Sequence, residues 1–178
     1  IQYNQNMNLL KNMQGIASSY TDRGESIIYN GSCYEFIKTI PDGSVKLIIT
    51  SPPYNIGKQY EKKHSLQDYY DMQEAIIDEC IRILHSDGSI CWQVGNYVDK
   101  GSIVPLDILL YPIFAKHNLK LRNRIIWHFG HGLHASKRFS GRYETILWFT
   151  KTDNYTFNLD AVRVPQKYPN KKYFKGKR

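Results

Sequence analysis

The chain has 178 residues, 42% of them hydrophobic, which is enough for one domain with a buried core. Its net charge of +8 and pI near 9.3 favour an anionic partner, nucleic acid ahead of a membrane surface. Three widely spaced cysteines, Cys33, Cys80 and Cys91, form neither a disulfide framework nor a CxxC metal signature; with no signal peptide and no apolar run of transmembrane length, the expectation is a reducing, cytoplasmic setting.

Residues 1–24 are rich in Asn, Gln and Ser, and Leu9, Met13 and Ile16 hint at a weak amphipathic helix in an N-terminal arm. Ile27-Ile28-Tyr29 reads as a short strand, Asn30-Gly31-Ser32 as a helix start, and Cys33 to Ile40 as a helix stopped by Pro41-Asp42-Gly43. Val45 to Thr50 is a near-continuous apolar strand. Between Ser65 and Leu84, Tyr69, Met72, Ile76, Ile77, Cys80, Ile81 and Leu84 recur at helical spacing, with Asp71, Glu74, Asp78, Glu79 and Arg82 on the wet face and Ser86-Asp87-Gly88 as the stop. Ser89 to Val94 is the next strand, left by a loop at Gly95-Asn96-Tyr97. A helix from Ile103 to His117 follows, bent at Pro112. Arg124 to Phe129 is a strand, and residues 130–141 form a Gly, His and Arg-rich loop. Tyr143 to Phe149 and Tyr155 to Leu159 read as a strand pair around the turn 151–154. The alternation predicts a three-layer, mostly parallel α/β sheet with an antiparallel strand pair at one edge. The predicted organisation is an arm over 1–24, a partial catalytic domain over 25–160, and a basic segment over 161–178. That last segment carries seven Lys or Arg from Arg163 onward and no acid, interleaved with Tyr168, Tyr173 and Phe174.

The segment Thr50-Ser51-Pro52-Pro53-Tyr54-Asn55 stands where the strand should continue. Two prolines fix φ and remove two donors, so the turn is stiff and leaves carbonyls without ladder partners at the carboxyl edge, where open α/β sheets bind ligands. That suits an exocyclic amino group of a nucleobase. Its lone pair is delocalised into the ring. Hydrogen bonds from its two N–H groups to the Ser51 oxygen and a carbonyl of the Pro52-Pro53 turn would localise the pair, and Tyr54 could stack on the ring. Asn55 is assigned to capping the turn.

This motif resembles the catalytic motif of the β-group DNA amino-methyltransferases, which methylate adenine N6 or cytosine N4 with S-adenosylmethionine. Asn30-Gly31-Ser32-Cys33 with Ile40-Pro41-Asp42-Gly43-Ser44-Val45 resembles that family's lead-in. Ile83-Leu84-His85-Ser86-Asp87-Gly88 resembles its R-V-L-K-P-G-G element, and Arg142 to Phe149 its R-H-E-x-I-L-x-F strand. The resemblance spans Ile27 to Val164 and implies an incomplete, Rossmann-like methyltransferase fold. The family's D-P-F-x-G-S-G cofactor loop is not found, and the chain opens on Ile1 and closes on Lys175-Gly176-Lys177-Arg178, so the expectation is the catalytic-motif part of a longer enzyme. By the same resemblance Ser51, Pro52, Pro53 and Tyr54 are catalytic, and Ser32, Cys33, Ser51 and Pro52 meet the cofactor. Three departures matter: Ser32 replaces an aspartate, Tyr143 replaces a histidine, and Ser51 leans toward cytosine N4 as the target.

The expected substrate is double-stranded DNA with the target base flipped out, gripped by Lys58, Lys62, Lys63, Arg138, Arg142, Lys167, Lys171 and Lys172, with Tyr60 among them. A cognate restriction endonuclease and a homodimer are the other expected partners, and no membrane. His128, His131 and His134 have poor spacing for a metal, so none is assigned. Glu144 is read as structural, paired with Arg142 or Arg124, and Trp92, Trp127 and Trp148 as sheet packing. Two rival readings are a methyltransferase for an RNA or protein amide, and a catalytically idle DNA-binding half.

Overall fold

The computed structural model describes residues 16–17, 19–21, 26–58, 62–132 and 134–169. β1 (Ile16–Ala17) pairs in parallel with β2 (Ile28–Tyr29). Ile16 is therefore in a strand, while Leu9 and Met13 of the expected helix lie outside the described residues. The helix α1 (Cys33–Ile37) is three residues shorter than its apolar pattern suggests. A side chain from elsewhere secures the chain as it leaves the helix: Arg82 donates to Ile37 O and Ile40 O, both at 2.9 Å, and pairs with Asp42 and Glu79.

Then comes β3 (Val45–Thr50), followed by α2 (Leu66–Ile83), whose N-cap Ser65 accepts from Asp68 N at 3.0 Å. Contrary to expectation, Ser86-Asp87-Gly88 does not separate helix from strand, because β4 (Leu84–Val94) starts directly after α2. Val45 pairs with Leu84 but Leu47 with Ser89, so the intervening residues bulge out of the ladder. Contacts from the segment after the last strand hold the bulge. Thr152 Oγ1 donates to Ser86 O at 2.9 Å, and the Lys151 ammonium donates to Leu84 O.

Where a loop was expected after Gly95, β5 (Asn96–Asp99) and β6 (Ser102–Pro105) form a hairpin. Lys100 and Gly101 turn it with φ of 46° and 87°, the positive pair that matches strand twist in a two-residue connection. The hairpin takes residues assigned to the next helix, so α3 (Leu106–Lys116) starts at Leu106 and runs on through Pro112. β7 (Lys120–His128) and β8 (Tyr143–Thr150) follow, then the short α4 (Leu159–Val162).

The second member expected of the strand pair, Tyr155 to Leu159, is not a strand. The sheet order β3-β4-β8-β7 explains why: both edges of β8 are already occupied. Tyr155 and Phe157 instead pack on the Trp148 ring, at centroid distances of 5.5 and 5.2 Å, and the Arg122 guanidinium lies 4.5 Å over Tyr155. The fold is the expected α/β type with an antiparallel pair, β7 and β8, at one edge. Its described sheet is mixed, since β3 is parallel to β4 while β8 is antiparallel to both β4 and β7.

The core lies between one sheet face and α2 and α3, built on Ile77, Leu84, Ile90, Trp92, Leu110, Phe114, Leu147 and Phe149, with Phe114 stacked on Phe149 at 4.3 Å. Burial pushes the Cys80 thiol up to about 12, as befits a core residue. The acidic face of α2 is less solvated than its pattern implies. Glu74 and Asp78 bind Lys116, Asp78 also meets His117, and so the two helices are tied at the end of α3. Trp127 departs from the packing role assigned to it, being 57% exposed. Among the described residues no helix is long and apolar enough to cross a membrane.

Arg82→Ala removes the donors to Ile37 O and Ile40 O and the cation that pairs with Asp42 and Glu79. It is expected to lower stability by about 1–3 kcal/mol, read as a drop in urea midpoint with unchanged m-value.

Candidate active site

Strand directions decide which side chains meet. β3 and β4 run in parallel and end at the same sheet edge, and β8, antiparallel to β4, begins there. Thr50 lies beside Trp92, and Gln93 beside Ile146, so Ser51, Gln93 and Glu144 converge at that edge. A cavity of about 250 Å³ opens between them, lined by Ser51, Pro52, Pro53, Tyr54, Ile56, Lys58 and Glu144. Pro52 is buried and Pro53 and Ser51 are exposed, so the turn is rooted on one side and presents its hydroxyl on the other.

Tyr54 is the hub of the polar groups. Its hydroxyl lies 2.8 Å from Ser51 Oγ and donates to Glu144 Oε2 at 3.1 Å; Gln93 Nε2 donates to the same Glu144 oxygen at 2.6 Å. Burial, reinforced by the charge of Glu144 and opposed by the Ser51 hydrogen bond, pushes the Tyr54 phenol up to about 12, so it stays protonated at neutral pH. The ring lies against the end of β4, where Gly95 leaves room for it: a Cβ there would stand 3.2 Å from two Tyr54 ring carbons.

Asn55 does more than cap. It sits at φ 59°, a conformation Asn tolerates better than most residues, and is buried. Its side chain donates to His64 O at 3.0 Å and accepts from His64 N at 2.7 Å. This clamp joins the two ends of the segment that carries Lys58, a residue of the cavity wall, and also Lys62 and Lys63.

The residues assigned from sequence divide into those the fold gathers and those it does not. Ser51, Pro52, Pro53, Tyr54 and Lys58 share the cavity wall. Lys62 is exposed, and the Lys63 ammonium lies 5.2 Å from the centre of the Tyr97 ring. Arg138 is exposed in the β7–β8 loop, whereas Arg142 braces that loop by donating to Gly130 O at 3.2 Å and lies 3.4 Å from His134 Nδ1. Lys167 is exposed with its ammonium near the Tyr168 ring. Tyr60, Lys171 and Lys172 lie outside the described residues. Ser32 is the N-cap of α1 with no side-chain capping bond, and Cys33 is exposed; neither is among the described residues lining the cavity.

Glu144 is not paired with Arg142 or Arg124; Arg124 pairs with the buried Asp107, and Glu144 faces Tyr54 and Gln93. Sequence reasoning read Glu144 as structural and did not single out Gln93. The available signal was their position: each is a polar residue beside an apolar run, at the strand end that reaches the proline turn.

Residues 45–178 match the family described as DNA methylase, comprising N6 and N4 methyltransferases. The chain is 52% identical over 162 residues to the type II methyltransferase M.BglII of Bacillus subtilis, an alignment covering 90% of this chain and 45% of that protein. Among solved structures, a cytosine-N4-specific PvuII DNA methyltransferase superposes with a TM-score of 0.60 at 22% identity, over 71% of this chain and 49% of that one. A putative DNA modification methylase from Thermus thermophilus, complexed with S-adenosyl-L-methionine, superposes with a TM-score of 0.56 at 25% identity, over 74% and 59% of the two chains. The chain thus spans about half the length of the proteins it matches.

Asn55→Ala removes both hydrogen bonds to His64 and places a less tolerant residue at positive φ. It is expected to cost about 2–4 kcal/mol in chemical denaturation, and Asn55→Gly, which keeps the φ, less than Asn55→Ala.

Proposed function

Because the chain belongs to the DNA methylase family of N6 and N4 methyltransferases, we propose that it carries the amine-orienting half of an enzyme that methylates an exocyclic amino group of a DNA base. The observation that supports this most directly is the rigid Ser51-Pro52-Pro53 turn, which borders a cavity at the carboxyl edge of β3. S-adenosylmethionine, when bound, supplies an electrophilic methyl group on a sulfonium cation. The cavity wall suits a cation, since it carries the Glu144 carboxylate and the hydroxyl and carbonyl oxygens of the turn. Ser51 and Pro52 are the residues that would border the donor's reactive end.

The amino group enters with two N–H bonds and a delocalised lone pair. Ser51 Oγ accepts one N–H, and a carbonyl of the Pro52-Pro53 turn accepts the other. Both acceptors are held in place before the base arrives, so little reorganisation is needed as charge develops on nitrogen. The two acceptors would hold the nitrogen lone pair toward the methyl group that S-adenosylmethionine supplies when bound. The alkylated amine is then acidic and loses its proton to solvent, so no side-chain base is required. Tyr54 offers the base the ring face that is not packed on Gly95.

An amino group engaged in a base pair cannot reach this turn, so the target nucleotide leaves the duplex. Lys58, Lys62, Lys63, Arg138 and Lys167 supply charge for the flanking phosphates, while Arg142 shapes the loop that presents Arg138. The basic segment 161–178 leads toward a target-recognition region. Ser51 favours cytosine N4 over adenine N6 as the target, and the 52% identity to a type II methyltransferase favours a modification role beside a partner endonuclease.

The full-length gene product, incubated with tritiated S-adenosylmethionine and unmodified DNA and digested to nucleosides, is expected to place label in N4-methylcytosine. Label in N6-methyladenine would reverse the choice of base; label confined to an RNA or protein acceptor would overturn the DNA reading. Ser51→Ala is expected to lower kcat at least a hundredfold, on the scale of losing one preorganised polar contact to the reacting group. Cofactor binding, measured by calorimetry, should be retained.

A further inference from the structure

Four polar groups meet at the edge of the cavity, and counting their hydrogens gives the chain of bonds a direction. Gln93 Nε2 can only donate, so Glu144 Oε2, 2.6 Å away, is an acceptor. Tyr54 has a single hydroxyl hydrogen, and it goes to the same Oε2 at 3.1 Å. The 2.8 Å contact between Tyr54 and Ser51 must then take its hydrogen from Ser51. With that hydrogen turned toward Tyr54, Ser51 Oγ shows the cavity only lone pairs. A serine hydroxyl left to rotate would point its hydrogen at the cavity part of the time, and there it would oppose an incoming N–H.

We infer that Glu144 is a positioning residue that acts through Tyr54, locking the Ser51 hydroxyl as a hydrogen-bond acceptor for the substrate amino group. This rests on the function proposed above. Gln93 holds the carboxylate in register from β4, so the orientation of Ser51, just after β3, is set through Tyr54 by groups on β4 and β8. In this arrangement Glu144 removes no proton from the substrate: its Oε2 already accepts from Gln93 and Tyr54, and the phenol that links it to Ser51 remains protonated.

The test is a double-variant cycle in the full-length gene product, with methyl transfer to unmodified DNA as the readout. Glu144→Gln keeps the shape of the side chain but can donate as well as accept, which removes the direction of the chain; Tyr54→Phe keeps the ring and removes the link. Each is expected to lower kcat by roughly tenfold to a hundredfold while the KM values for DNA and cofactor change less than about threefold, and the double variant is expected to lose no more than the worse single variant. Full kcat in Glu144→Gln, or single losses that multiply in the double variant, would overturn the inference. Should Glu144→Gln fail to fold, Tyr54→Phe alone decides: an unchanged kcat overturns the inference, and a loss in kcat without a rise in KM supports it. Failure of the underlying function would look different, since the wild-type protein would then transfer no methyl group to a DNA amino group.

Discussion

A single phenol oxygen, that of Tyr54, ties three strand ends into one site. The constraint beneath it is topological. β3 and β4 are parallel and finish together, while β8 is antiparallel to β4 and starts where they finish. Only that mixture of directions sets a residue following β3, a residue near the end of β4 and a residue at the start of β8 along one line. Register sharpens the requirement, because sliding β8 by one residue would turn Glu144 to the helix side of the sheet and put a core residue in its place. Leu147 and Phe149, fully buried against α3, oppose such a slide. Packing on the covered face therefore holds the geometry on the reactive one.

What could be read from sequence followed the strength of the periodic signal. The strand Val45–Thr50 and the helix Leu66–Ile83 carry unbroken patterns and stand where expected, as does the strand from Tyr143. The misplaced elements were those whose identity depends on partners far along the chain. Leu84 to Gly88 contains a turn-like Ser-Asp-Gly, yet hydrogen bonds from Lys151 and Thr152 draw it out as strand. Tyr155 to Leu159 has good strand composition but no free edge of β8 to join. The hairpin at 96–105 turns on Lys-Gly, a weaker signal than Asn-Gly, and its apolar residues merged with those of the next helix.

The site was legible in one half. A proline turn after an apolar strand is a local feature, and Ser51 to Tyr54 were visible as a unit. Glu144 and Gln93 are 93 and 42 residues from Ser51 in the chain, and their part in the site comes from strand pairing that no local pattern encodes. Ser32 and Cys33 show the converse. Their place near the cofactor was carried by resemblance to a motif, and among the described residues the cavity is lined without them.

The outer side of β3 has a practical consequence. Among the described residues β3 is a terminal strand of its sheet, and Leu47 and Ile49 are 56% and 71% exposed on it. Lys46 places one charge on this strand, but Leu47 and Ile49 are apolar, and among the described residues no other strand pairs with the outer row of backbone groups, which is a template for another extended chain. A preparation of these 178 residues by themselves is therefore a poor candidate for concentrated storage. Molecules would add strand to strand along β3, and turbidity would rise with concentration well before the helical core began to unfold.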